Sequence, residues 1–233
     1  FAVLSYFPAG VFCVSFLIPT PFNSIIDIIC LLTIAFSLAT VFCTAKIYAS
    51  LKTIRQWNHL LVVPVYLIIG LFDGAIFLMV LLTIIDGLQF FQLNYFIIFL
   101  GAVAGLAKIL YWWSIDSTQS QSSTSTATGL GSSNKSVSML DAPTTSETFI
   151  MREMGFAIAR KHSRRLRLIT ILTLSIIPII IIFLMTQPIA LVSPMVLGII
   201  AILFSYFGTI IERWLFFAEA KHVAMLYYGA SKV

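Results

Sequence analysis

Six stretches of the chain, running roughly from Phe1 to Ile18, Ile25 to Ala49, Leu61 to Ile85, Leu93 to Trp113, Leu166 to Thr186 and Val192 to Phe217, are almost purely apolar. Each is close to the about 20 residues that a helix needs to cross a hydrocarbon layer of about 30 Å. The period-two alternation of a membrane barrel is absent, and continuous Ile, Leu and Phe runs fit helices. With 10% charged and 60% hydrophobic residues, the chain departs from the about 25% charged composition of a water-facing domain. The expected fold is therefore an all-α, polytopic transmembrane helix bundle with six spans. Pro8, Pro64 and Pro178 fall inside or near the start of these runs, where neighbouring helices can satisfy the freed carbonyls.

The few charges are segregated. The connections Pro19 to Ser24, Gly87 to Gln92 and Gln187 to Leu191 contain no Lys or Arg. The 14 basic residues are read as lying at the opposite side, with Lys108 taken as the end of the fourth span. This positive-inside pattern makes the basic side cytoplasmic, with both ends of the chain there. Trp57, Trp112, Trp113 and Trp214 lie toward the same side, as interfacial indoles do. The net charge of +5 is thus a topology signal, and nucleic acid is not an expected partner. Four regions follow: residues 1–113 with four spans, a Ser/Thr-rich cytoplasmic loop at 114–150, a basic interfacial helix at 151–165, and the last two spans with a tail at 166–233. Between Ser117 and Ser138, 13 of 22 residues are Ser or Thr, a composition that cannot order itself by burying apolar surface. In the basic helix, Met151, Met154 and Ile158 share one face. Arg152, Arg160, Lys161, Arg164 and Arg165 then offer either a contact to anionic membrane lipid or a docking surface for a soluble partner.

Three segments on the basic side carry more pattern than insertion requires: AKIYASLKTIRQWNH from Ala45, the basic helix, and ERWLFFAEAKHVAMLYYG from Glu212. In this order between apolar helices, with the Ile-Tyr-x-Ser and Trp-Asn-His grouping and the Glu-Arg, Phe-Phe, Ala and His ending, they resemble the membrane anchor subunit of the dimethyl sulfoxide reductase family. The resemblance implies a bundle of about eight helices in the bacterial inner membrane. A chain that opens at Phe1 inside an apolar run is then expected to lack the first two. It also implies that the subunit oxidises menaquinol and passes electrons to an iron–sulfur subunit, which feeds a molybdopterin catalytic subunit in anaerobic respiration.

A quinol site needs an apolar slot, hydrogen bonds to two hydroxyls and a proton acceptor, so ionisable residues within or beside the spans are the candidates. Asp73 lies near the middle of the third span between Gly70 and Gly74. It serves either proton transfer or helix packing. Glu212, Phe216 and Glu219 share a helical face, with His222 three residues on. They form either a relay or a structural network with Arg213, Lys221 or the basic helix. His59, after Trp57 and Asn58 at the mouth of the third span, is placed to receive a quinone headgroup or to sit as an interfacial histidine. Haem ligation needs histidines inside helices, whereas His59, His162 and His222 fall at span ends or in the loop. Cys13, Cys30 and Cys43 form no CxxC pair, so no haem, iron–sulfur cluster or metal held by this chain is expected. A different class, a small ion-coupled transporter using Asp73, is the alternative.

Overall fold

The computed structural model describes residues 1–17, 23–86, 91–118, 123–130, 137, 140–141, 160–187 and 192–227. These form α1 (Ala2–Leu17), α2 (Asn23–Ala49), α3 (Val62–Asp86), α4 (Phe91–Ser117), the short α5 (Thr124–Thr128), α6 (Ser163–Met185) and α7 (Pro194–Ala218). A 3-10 turn at Val223–Leu226 follows. The fold is all-α, and α2, α3, α4, α6 and α7 are long and apolar enough to cross a membrane. The first expected span is shorter. At about 1.5 Å per residue, the 16 residues of α1 extend about 24 Å.

Helices α3, α4, α6 and α7 pack together, whereas α2 leans on α3 and α1 on α2. Two apolar clusters stack along the four-helix core. One, toward the basic end, includes Val62, Val65, Tyr111, Trp112, Leu174, Leu215 and Phe216. The other includes Phe72, Ile76, Met79, Ile97, Ile182 and Met185. Outside this core, Phe77, Phe99, Ile180, Phe183 and Phe207 are exposed. Such a surface is costly in water and is at home against acyl chains.

Pro178 cannot donate to the helix ladder, and its ring would crowd the carbonyl of Leu174. Helix α6 accommodates this with one π-helical turn, Leu172–Ile176. Glycines from both neighbours receive the widened turn. A Cβ on Gly208 of α7 would collide with the Leu174 backbone, and one on Gly105 of α4 would lie 2.7 Å from Ser175 Oγ. Ser175 Oγ donates across to the Gly101 carbonyl at 2.7 Å.

Several expectations change at the basic side. Helix α4 runs to Ser117, so Lys108 lies nine residues inside it, about 13 Å from the end, and does not close the span. Its charge belongs to the bundle interior. Part of the Ser/Thr-rich loop is helical: Ser123 and Thr126 form a reciprocal capping box for α5, and Gly129 at φ 68° ends it. Local hydroxyl caps supply this order without a core. The described part of the basic segment runs into the fifth expected span, with Arg164 and Arg165 in the first turn of α6. Arg152, Met151, Met154 and Ile158 lie outside the described residues.

Candidate functional site

The ionisable residues buried in the core come from α3, α4 and α7. Helix α4 carries Lys108 and α7 carries Glu212, both buried, and the ammonium forms an ion pair with Glu212 Oε1. Arg213 Nε bonds Oε2 of the same carboxylate. One carboxylate therefore joins two cations contributed by two helices. Three rings close over Lys108 Nζ, with the centres of Tyr111 and Trp112 at 4.3 and 4.9 Å and that of Phe216 at 5.9 Å. Arg213 lies on Tyr66 of α3, its guanidinium carbon 3.7 Å from the ring centre. An ammonium so far from water is tolerable because a counter-charge and several π faces replace its hydration.

Asp73 is held differently. Ser205 Oγ and Thr209 Oγ1, one turn apart on α7, donate to its two carboxylate oxygens, the second at 2.8 Å. Spacing of four residues puts both hydroxyls on the α7 face that meets α3. Asp73 thus binds two helices together deeper in the bundle than Glu212.

Toward the basic surface an aromatic layer covers the triad. Trp57 stacks on Phe216 with centres 5.7 Å apart and donates Nε1–H to the Phe216 carbonyl at 2.9 Å. Tyr48 of α2 meets Trp57 edge-on at 5.2 Å. His59 joins the mouth of α3 to α4. Its Nδ1 accepts from the Leu61 N–H at 3.2 Å, so the proton of the neutral ring sits on Nε2, which lies 2.9 Å from Ser114 Oγ. Burial, with the nearby Arg55 charge, holds the imidazole below its ordinary pKa. Its ring meets Tyr111 edge-on at 5.6 Å, and Tyr111 in turn donates to the Gln56 carbonyl at 2.9 Å.

Arginines finish the helix ends. Arg55 reaches the Ile115 and Thr118 carbonyls at the end of α4. Arg160 reaches the Ala218 and Ala220 carbonyls beyond α7, at 3.1 and 2.8 Å. Such donors satisfy carbonyls that a helix C-terminus leaves open and complement its dipole. Arg167 of α6 bonds Glu219 at 2.8 Å and forks onto both oxygens of Asp116. These groups frame an open polar cavity of about 470 Å³ to which Gln56 and Lys221 also contribute.

Of the sequence candidates, Trp57, His59, Glu212 and Glu219 come together around Phe216, Tyr111 and this cavity, whereas Asp73 stands apart. His222 Nδ1 accepts from the Ala224 N–H at 2.9 Å and caps the 3-10 turn, and its backbone pairs with Ile54. Glu212 and Glu219 both have cationic partners in a network, but Glu212 pairs with Lys108, which the sequence pattern alone places at a span end. The available signal was local: Tyr111 and Trp112 follow Lys108 by three and four residues, the spacing that lays rings beside a helical side chain. Among the described residues no three His, Cys, Asp or Glu side chains gather as a metal-binding group.

Against known proteins, one match bears on this arrangement. The chain is similar to a membrane-enzyme component, a sulfite dehydrogenase subunit from Allochromatium vinosum. Over 193 residues the two are 31% identical, an alignment covering 82% of this chain and 57% of that protein. The chain spans just over half the length of the curated relative it matches. No family model and no solved structure matches it.

Proposed function

We propose that this chain is the membrane subunit of a molybdopterin oxidoreductase of the dimethyl sulfoxide reductase kind, exchanging electrons between menaquinol and an iron–sulfur subunit. The reading rests on the similarity to the sulfite dehydrogenase subunit, because it links a bundle with five membrane-length helices to a redox enzyme built from subunits. The basic end faces the cytoplasm of a bacterium, where the iron–sulfur subunit docks and relays electrons to the molybdopterin subunit.

The proposed half-reaction converts menaquinol to menaquinone with release of two protons and two electrons. A headgroup is received at the mouth of α3, beside Trp57 and His59. The uncharged imidazole offers a hydrogen bond to a quinol oxygen when Ser114 releases Nε2. The carboxylates and arginines of the polar cavity lead protons to water over a short distance. A dehydrogenase, as the relative is named, runs the same half-reaction in reverse, so one site serves both directions.

The test is purification of the full complex from native membranes in mild detergent, with metal analysis and titration with a fluorescent menaquinol analogue. Co-purifying iron–sulfur and molybdopterin subunits and saturable analogue binding, weakened about tenfold or more by His59→Ala, are expected. A complex that carries both subunits yet shows no saturable binding rejects the quinol role. A chain that purifies without redox subunits rejects the whole reading.

A further inference from the structure

We propose that the start of α6 is a binding site for the phosphate headgroup of an anionic membrane phospholipid. The observation is a second open cavity, of about 490 Å³, at the basic end. Among the described residues it is lined by Arg160, Lys161, His162, Ser163, Arg164 and Arg165, with no carboxylate. The neighbouring polar cavity differs on this point, since Asp116 and Glu219 stand there among its arginines. Arg160 is engaged by the α7 carbonyls. Lys161, Arg164 and Arg165 are exposed and make no hydrogen bond or ion pair with a described residue.

What lies below these charges identifies the ligand. One turn further along α6, Leu168 is 61% exposed and Ile169 39%. The stripe continues through exposed Leu172, Ile176, Ile180 and Leu184, while Thr170, Leu174, Ile182 and Met185 on the other side are buried. Arg164 and Arg165 stand four residues before Leu168 and Ile169, so the basic cluster caps the surface that acyl chains cover. A ligand contacting both features carries an anionic head on an apolar tail. A water-soluble protein would meet the cations but leave the stripe unmatched. Lys and Arg at this level attract anionic lipid, each contributing a factor of roughly five in affinity.

The experiment uses the full chain with whatever subunits accompany it, reconstituted in nanodiscs of phosphatidylcholine containing a small fraction of phosphatidylglycerol. Native mass spectrometry after release counts retained lipids. Wild type is expected to retain phosphatidylglycerol over phosphatidylcholine, and the triple variant Lys161→Gln, Arg164→Gln, Arg165→Gln to bind it roughly a hundredfold more weakly. A variant with Arg164→Lys and Arg165→Lys should keep most of the preference, and unchanged helical content of both variants shows that neither result reflects misfolding. Equal retention by wild type and the triple variant overturns the site. So does displacement of the lipid by millimolar inorganic phosphate, which would make it a free-anion site. Loss of a protein subunit with lipid retention intact would assign the cluster to a protein partner and equally overturn it.

Discussion

Asp73 and Glu212 are both carboxylates inside the four-helix core, and the bundle treats them in opposite ways. Asp73 receives two hydroxyls from α7, whereas Glu212 receives an ammonium from α4 and a guanidinium from its own helix. Hydroxyls rotate and bind a carboxyl group whether or not it carries a proton. An ion pair binds only the charged form, and a single loss leaves an uncompensated charge in low dielectric. The first arrangement is a tolerant clamp between α3 and α7. The second is an all-or-none lock between α4 and α7, placed directly beneath the aromatic layer and the polar cavity.

The contrast breaks most sharply at Lys108. Replacing Lys108 by Met should cost about 3–5 kcal/mol, while adding Glu212→Leu to the same protein should recover most of the loss. Thermal unfolding in detergent with a double-mutant cycle measures this, and additive losses would show that no lock exists. Gly208 lies on α7 between Ser205 and Glu212, against the π-helical turn of α6. Gly208→Ala should push the helices apart at a cost of about 1–3 kcal/mol and weaken both carboxylate sites together. An unchanged unfolding temperature would mean that the turn yields without disturbing either.

Asp73→Asn is expected to cost under about 1 kcal/mol, because an amide still meets two hydroxyls. It should leave redox activity of the intact complex unchanged. Abolished ion uptake into vesicles with stability intact would favour the transporter alternative over the clamp. The smallest effect concerns His59, whose folded-state pKa is below the ordinary value near 6.5. In the unfolded chain the ring protonates first as pH falls, so stability should decline from pH 6.5 down to the folded pKa and be independent of this residue above neutrality. His59→Gln should flatten that part of the profile, and an identical slope in the variant would assign the dependence elsewhere.

How much could be read in advance differs between a buried charge and its partner. Span positions rest on runs such as ILTLSIIPIIIIFLM, which water disfavours along their whole length, and five of the runs appear as membrane-length helices. Glu212 and Asp73 stood out because a carboxylate in such a run requires a partner. Their partners did not, since Ser205 and Thr209 are unremarkable residues that acquire meaning only when α7 faces α3. His222 illustrates the reverse, a residue type suited to proton chemistry that the chain uses as a cap for a 3-10 turn.

The linear order of apolar and basic residues settles that this chain forms helices, that they are long enough for a bilayer, and which of their ends gathers the positive charge. Those properties depend on each segment's own transfer between water and hydrocarbon. Only the packed structure decides that Lys108 belongs to the interior with Glu212, that Arg55 and Arg160 close the ends of other helices, and that Arg164 and Arg165 are left facing outward. A buried charge is defined by the group opposite it, and that group lies on another helix about a hundred residues away.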